Sequence, residues 1–145
     1  MIGSPRQRVE YLIDDLQFLE ELQPEMIGIG PFIPAAGTPF ENEPPGSINM
    51  TLLLVSLLRL RFPDALIPAT TATIQYEDGL TRAILAGANV VMLNISPPKV
   101  RNKYTIYNKR RLEYEAETEL KDLQYELNAI GYKINFARGD YNKKK

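Results

Sequence analysis

The residue types that most enzymes use for acid–base and nucleophilic catalysis are missing from this sequence. Its 145 residues include no cysteine and no histidine. Histidine is the commonest general base, and cysteine thiolates hold structural zinc and iron–sulfur clusters. We therefore exclude Ser-His-Asp and Cys-His catalysis, zinc–thiolate sites and an iron–sulfur cluster bound by this chain alone, and we name no catalytic residue and no metal ligand. Its chemistry has to use carboxylates, Tyr, Lys or Arg, or groups supplied from elsewhere.

Two glycines alternate within a short apolar segment, residues 26–30, that prolines bound on both sides. An apolar run of this length predicts a buried strand. Glycine inside a strand often marks a place where a ligand or another backbone comes close, and Gly28 and Gly30 share one face of the predicted strand. The alternation is equally compatible with an ordinary buried strand that binds nothing. The proline-rich residues 31–48 that follow predict a long loop.

Hydroxyl and thioether side chains stand at the ends of two further apolar segments. Thr70 and Thr71 stand where segment 65–70 meets the loop after it, and Met92 stands at the end of segment 88–93. The carboxyl ends of the strands form the active-site face of a parallel barrel, so these side chains could contact a bound molecule there. An ordinary strand-end turn and a core methionine explain the same pattern.

Two tyrosines lie three residues apart in the basic, proline-containing segment 94–112. One turn of helix would place Tyr104 and Tyr107 on the same face, where their phenol groups could donate hydrogen bonds to a substrate carboxylate. Aromatic packing within a loop is the alternative explanation.

The spacing of apolar residues, and the Pro and Gly residues that interrupt it, predict four helices and three or four strands. The helices are predicted at residues 6–22, 49–62, 79–86 and 113–130. Asn49 is a suitable N-cap for the second helix, and Gly87 closes the third. The strands are predicted at residues 26–30, 65–70 and 88–93, with a short strand at 132–136 after the last helix. Pro68 is expected at the end of its strand, because it has no N–H to donate.

Strands that alternate with helices predict an α/β fold with parallel strands. The strands are continuously apolar, as in sheets covered on both faces and in filled barrels. Three or four strands do not close a (β/α)8 barrel, which typically needs about 250 residues. We therefore expect one domain, residues 1–145, that forms a partial, half TIM-type barrel. The open edge at residues 26–30 would need a cover, from another chain or a second copy.

Five stretches of the sequence, in their order along the chain, resemble the C-terminal half of one family, the HydE radical S-adenosylmethionine (SAM) maturases of iron-only hydrogenases. They are MIGSPRQ (1–7), MIGIGPFIPAAGTPF (26–40), PDALIPATTA (63–72), LAGANVVMLNISPPKVRNKYTIY (85–107) and IGYKINFARGDY (130–141). The pyrrolysine-pathway mutase and biotin synthase families share looser versions of them. The resemblance covers nearly the whole chain and implies the C-terminal half of a radical SAM barrel, from the end of strand five to the C-terminal helix and tail.

The resemblance also implies cofactors and site residues. In the complete enzyme, the first half of the barrel carries a three-cysteine loop that binds a four-iron four-sulfur cluster and SAM, and that half has no counterpart in this sequence. The residues that match the strand beside the SAM adenosine are Ile27, Gly28, Ile29 and Gly30. The residues that match the wall and mouth of the substrate cavity are Thr70, Thr71, Met92, Tyr104 and Tyr107.

The sequence departs from the family pattern at four places, one of which is a segment after Thr71 that is one residue shorter. Arg6 stands where the family usually has glycine, and Ala35 stands where it commonly has histidine. The cysteines of the family's optional second cluster, expected around residues 110–122, are replaced by other residues. The last difference need not abolish activity in the family.

The function that the resemblance implies is that of a part of an enzyme. The chain would shape the substrate cavity and part of the SAM site of a HydE-like enzyme, and would be inactive without the cysteine-bearing half. The substrate would be a small organometallic molecule, an iron-bound cysteine species, and the partners would be the missing N-terminal half and hydrogenase maturation proteins. Two alternatives stay open: the same half of a pyrrolysine-type mutase or biotin-synthase-like enzyme, and a non-enzymatic half-barrel module that pairs with itself.

Charge and hydropathy limit the other partners that the sequence predicts. The net charge of −1 creates no global field for nucleic acid, and the longest apolar run is too short to span a bilayer. We therefore expect neither a nucleic-acid nor a membrane partner. The start of the sequence lacks the apolar core of a secretory signal, which predicts a cytoplasmic location.

Overall fold

Helices alternate with short parallel strands in this protein, so the fold is α/β, as the sequence predicts. The structure is a computed structural model and describes residues 1–93, 97–101 and 116–141. In chain order the elements are α1 (Val9–Leu22), α2 (Ile48–Arg61), β1 (Pro68–Ala69), α3 (Thr71–Ile74), α4 (Gly79–Ala86), β2 (Val90–Val91), α5 (Pro98–Arg101) and α6 (Ala116–Ala129). None of the helices within the described residues is long and apolar enough to cross a bilayer.

Four apolar segments lie side by side in the order of the sequence: residues 1–3, 26–31, 65–70 and 88–93. The pairings between neighbouring segments are parallel. Ile2 forms a bridge with Pro31, and Met26 forms a bridge with Leu66. β1 pairs with β2 to make a two-stranded sheet. The predicted parallel arrangement is therefore confirmed, whereas the half-barrel stays a prediction.

A proline limits the pairing between the second and third of these segments. Leu66 donates its N–H to the carbonyl of Glu25 and accepts the N–H of Ile27, both at 2.9 Å. The next donor in a parallel ladder would be the N–H of residue 68, which proline lacks. The pairing therefore stops as an isolated bridge. Pro68 begins β1 instead of ending the strand, so the predicted position of this proline was wrong.

The helix predictions hold for the type of element and differ at the boundaries. α4 has the predicted residues, and Gly87 closes it with a φ of 122°. α1 begins at Val9 rather than at residue 6. The predicted N-cap Asn49 was wrong, because the Ser47 hydroxyl accepts the Met50 N–H at 3.2 Å and α2 begins at residue 48.

Several short elements differ from the sequence prediction. Residues 132–136 take no strand pairing, so the strand predicted there was wrong. The strand predicted at 26–30 is reduced to the isolated bridge of Met26. α3 and α5 were not predicted, because four residues are too few to show a helical period. α6 lies within the predicted helix 113–130, the first three residues of which fall outside the described part of the chain.

The core lies between the parallel segments and the helices that cover them. Ile67 and Leu58 are almost completely buried at its centre. The other members come from segment 26–30, α2, β1, α4, α6 and the turns that join them, and include Ile27, Val55, Phe62, Ala69, Leu80, Ile84, Leu123 and Leu127. α1 has no fully buried residue and contributes only partly buried leucines to the core.

One asparagine side chain joins the third and fourth segments where their pairing begins. Asn89 accepts the N–H of the buried Ile67 through Oδ1 at 2.8 Å, and its own N–H donates to the Ile67 carbonyl at 2.9 Å. Its Nδ2 donates to the Ala65 carbonyl at 3.4 Å. Asn89 thus acts in place of a ladder partner at this end and sets the register in which β2 meets β1.

We predict that Asn89→Ala lowers the free energy of unfolding by about 1–3 kcal/mol, because the buried Ile67 N–H loses its acceptor. Urea denaturation followed by circular dichroism measures this. Asn89→Asp keeps an acceptor oxygen and should destabilise the chain less. The control Asn49→Ala removes only an exposed hydrogen bond from Arg82 and should change stability by about 0.5 kcal/mol or less. Equal effects of the two alanine substitutions would contradict the role given to Asn89.

Candidate functional site

Two of the predicted site residues, Gly30 and Thr70, are in contact beyond the paired parts of neighbouring segments. A Cβ atom at position 30 would collide with the Thr70 hydroxyl oxygen, and it would lie 3.4 Å from the Cβ atoms of Thr70 and Ala72. Only a residue without a side chain allows this approach. Gly30 therefore brings segment 26–30 against the start of α3.

The two predicted threonines differ in what their hydroxyl groups do. The Thr70 hydroxyl caps α3 by accepting the Thr73 N–H at 3.4 Å, and it shares a hydrogen bond of 2.9 Å with the buried Thr73 hydroxyl. Thr71 is exposed, and its side chain has no hydrogen-bond partner within the described residues. Thr71 is therefore the hydroxyl that is available to a ligand, and Thr70 holds the turn that presents it.

The predicted SAM-binding strand alternates between the core and the solvent. Ile27 is buried in the core, and Ile29 packs against the core while partly exposed. Gly28 is exposed, and the nearest atom to a Cβ built there is the Pro68 Cγ at 3.8 Å. The side chain of Ile27 thus holds segment 26–30 against the core, and the exposed backbone of Gly28 is not covered by a side chain of its own.

The remaining predicted site residues are not brought together by the described structure. Met92 follows β2 and is 55% exposed. Met92 is therefore not a member of the buried core, and its contact with substrate stays a prediction. Tyr104 and Tyr107 lie outside the described residues, so their predicted place at the cavity mouth stays a prediction.

Tyr76, which was not among the predicted site residues, holds the long loop 31–48 in place by a hydrogen bond. The Tyr76 hydroxyl donates to the Gly46 carbonyl at 3.0 Å, and burial raises the pKa of this phenol. The Gly46 N–H donates to the Phe32 carbonyl at 2.8 Å, and a Cβ at position 46 would collide with the Ile2 carbonyl oxygen. No motif marks Tyr76 in the sequence, because its partner is a backbone carbonyl 30 residues away.

The side chains gathered here are suited to binding rather than to proton transfer. They supply hydroxyl groups, backbone and apolar surface. Within the described residues there is no group of three or more Asp, Glu, His or Cys side chains that could hold a metal ion. Burial raises the pKa of Tyr76, which favours the neutral phenol.

Comparisons with known proteins show which proteins this sequence is similar to. No protein-family profile matches the chain. The chain is 43% identical over 119 residues to the FeFe hydrogenase maturase subunit HydE of Thermotoga maritima, which covers 81% of this chain and 34% of that protein. It is 33% identical over 125 residues to 3-methylornithine synthase of Methanosarcina barkeri, which covers 86% and 35%. The matched residues belong to the radical SAM superfamily.

A third relative supports the same superfamily, and the coverage limits what it implies. The chain is 33% identical over 88 residues to biotin synthase of Gloeobacter violaceus, across 57% of the chain and 28% of that protein. The resemblance to HydE, and more loosely to the two other families, is thus confirmed. The chain spans about a third of the length of the curated relatives it matches.

The two cofactors of radical SAM proteins fit these residues to different degrees. A four-iron four-sulfur cluster does not fit, because the chain has neither cysteine nor histidine to ligate it. A SAM contact does fit at Gly28, where exposed backbone without a side chain lets a flat group approach. This chain therefore offers no thiolate to such a cluster.

We predict that Gly30→Ala lowers the free energy of unfolding by about 1–3 kcal/mol, because its Cβ would overlap the Thr70 hydroxyl. Thermal or urea denaturation measures this. Thr70→Ala in the same chain removes the obstructing oxygen, so the double variant should lose less than the sum of the two single losses.

The matched control for this prediction is Gly28→Ala. Its Cβ would meet only the Pro68 ring at 3.8 Å, an ordinary contact, and the change should stay within about 0.5 kcal/mol. Additive losses in the double variant, or an equal loss at position 28, would show that the Gly30–Thr70 contact is not a constraint.

Proposed function

We propose that this chain forms part of the SAM- and substrate-binding wall of a HydE-like radical SAM enzyme. The observation that carries the proposal is the 43% identity to the Thermotoga maritima maturase, which exceeds the 33% identity to 3-methylornithine synthase. The arrangement of the chain supports it, because parallel segments followed by helices hold their variable contacts at one end.

The backbone at residues 28–30 is the part of the chain that we assign to SAM. The buried Ile27 side chain fixes segment 26–30 to the core, so the exposed Gly28 peptide is held in place before a ligand arrives. Such preorganisation reduces the ordering cost of binding. When bound, the cluster and SAM supply the radical chemistry, and the residues of this chain bind, orient and exclude water.

We assign substrate contact to Thr71 and Met92. The Thr71 hydroxyl can donate or accept a hydrogen bond, and its partner Thr70 keeps the α3 turn in position through Thr73. Met92 adds an exposed, adaptable apolar surface after the neighbouring strand. Tyr104 and Tyr107 complete the proposed set on the strength of the resemblance alone.

Because we assign only binding roles to this chain, we predict that it does not cleave SAM by itself. It has no cluster ligand, so reductive chemistry requires cysteines supplied by other residues. We therefore assign no catalytic residue to this chain and place the hydrogenase maturation proteins of the HydE context among its proposed partners.

A hybrid enzyme tests the proposal. The matched residues of this chain replace the 119 corresponding residues of Thermotoga maritima HydE, and a second hybrid carries them in Methanosarcina barkeri 3-methylornithine synthase. We expect the first hybrid to cleave SAM and to support formation of active hydrogenase, and the second to make little 3-methylornithine. Iron content and circular dichroism confirm that each hybrid holds its cluster and folds.

Two results of the hybrid experiment would oppose the proposal. A folded, cluster-bearing maturase hybrid that cleaves SAM but yields no active hydrogenase would reject the HydE-like assignment. Formation of 3-methylornithine by the second hybrid would favour the mutase alternative.

We predict that Thr71→Ala in the maturase hybrid lowers the yield of active hydrogenase about three- to tenfold, the value of one hydrogen bond to substrate, while SAM cleavage is unchanged. The matched control is Thr118→Ala on the exposed surface of α6, which should alter neither measurement. An unchanged yield would remove Thr71 from the substrate wall, and a parallel fall in SAM cleavage would assign it a different role.

A further inference from the structure

Tyr76 joins the helical turn that carries Thr71 to the long loop 31–48. Its hydroxyl donates to the Gly46 carbonyl of the loop at 3.0 Å. Its backbone N–H donates to the carbonyl of Thr73, a residue of α3, at 3.2 Å. Burial raises the pKa of Tyr76, so the phenol keeps the proton that it donates. One residue therefore holds α3 and the loop at a set distance from each other.

The loop end of this connection is a fixed point. The Gly46 N–H donates to the Phe32 carbonyl, and the Phe32 N–H donates to the Ile2 carbonyl, both at 2.8 Å. A Cβ at position 46 would collide with the Ile2 carbonyl oxygen, and a Cβ at position 3 would lie 2.6 Å from the Gly46 Cα. Gly46 is thus tightly enclosed by the first two parallel segments. Its carbonyl has little freedom to follow α3 if α3 shifts.

α3, at the other end of the connection, depends on its surroundings for its position. It has four residues, far fewer than the roughly 12–15 at which an isolated helix becomes even marginally stable. Thr70 caps its first turn, and its buried side consists of two small side chains, Ala72 and Thr73. Thr71 lies on its exposed side. Tyr76 adds the hydrogen bond that holds the end of this turn.

We propose that Tyr76 is a positioning residue for the substrate contact of Thr71, because it fixes the orientation of α3 against the loop 31–48. This inference rests on the function proposed above, since it requires Thr71 to contact substrate. A hydrogen bond weakens steeply as its distance and angle depart from the optimum, so a small rotation of α3 reduces the contact. Tyr76 touches no substrate in this arrangement and acts through Thr71.

Tyr76→Phe in the maturase hybrid, alone and combined with Thr71→Ala, tests whether the two residues act together. The substitution removes one hydroxyl and keeps the ring, and circular dichroism confirms that the variant folds. We expect the yield of active hydrogenase to fall about two- to fivefold, with SAM cleavage unchanged. Added to Thr71→Ala, it should lower the yield no further, because residues that act through one contact are not additive.

The outcomes of this cycle separate the positioning role from the proposed function. If Thr71→Ala lowers the yield but Tyr76→Phe does not, or if the two losses multiply in the double variant, the positioning role is wrong and the proposed function stands. If Thr71→Ala leaves the yield unchanged, Thr71 does not contact substrate, and the positioning role is lost with that contact. A fall in SAM cleavage with Tyr76→Phe would also reject it.

Hydrogen exchange in the 145-residue chain measures the hold on α3 without an activity assay. In the unsubstituted chain, the amides of residues 73–76 should exchange within about tenfold of those of α4. Tyr76→Phe should speed their exchange at least about fivefold and leave α4 unchanged.

The matched control for the exchange measurement is Tyr11→Phe, which removes a phenol oxygen that accepts from Arg8 at 2.7 Å on α1. It should leave the exchange of residues 73–76 unchanged. Unprotected amides at residues 73–76 in the unsubstituted chain, or an equal increase throughout the Tyr76→Phe chain, would overturn the proposal, because Tyr76 would then not hold α3 in particular.

Discussion

The backbone around Ile67 pairs with a neighbouring segment on each side, and the parallel segments are held together through it. Leu66 exchanges backbone hydrogen bonds with residues 25 and 27, and β1 pairs with β2. Ile67 has no accessible surface, so its backbone groups need protein partners. Asn89 supplies them, and this fixes where the last strand lies.

The candidate site follows from that central segment. Thr70 follows β1 directly and caps α3. Its contact with Gly30 sets the distance between α3 and segment 26–30. Tyr76, two residues after α3, then fastens the long loop through Gly46. The site is thus built from side chains that hold the backbone, and few are left to meet a ligand. Thr71, Gly28 and Met92 are the residues left exposed.

The proposed binding region combines two kinds of group. The surface around Gly28 and Thr71 offers backbone and hydroxyl groups, which suits a polar small molecule held against a preformed wall. The chain has neither cysteine nor histidine, so the redox chemistry of the proposed enzyme would depend on residues that this sequence does not contain.

Much of the architecture was predictable because it depends on local signals. Helical periodicity located α4 to the residue, and Gly87 ends it because a positive φ suits glycine. The α2 cap was predictable in kind and wrong in position, because Ser47 and Asn49 are both good caps. Only the backbone conformation before the helix decides between them.

The α/β alternation, the lack of cysteine and histidine, and the family resemblance could be read from the residues alone, because each depends on residue type or on neighbours within a few positions. Three features needed the folded chain: Gly30 faces Thr70, Tyr76 reaches Gly46, and within the described residues the Thr71 hydroxyl has no partner whereas the Thr70 hydroxyl has two. These facts depend on contacts between residues that are distant along the chain, and the same side chains could have met other partners in a different packing.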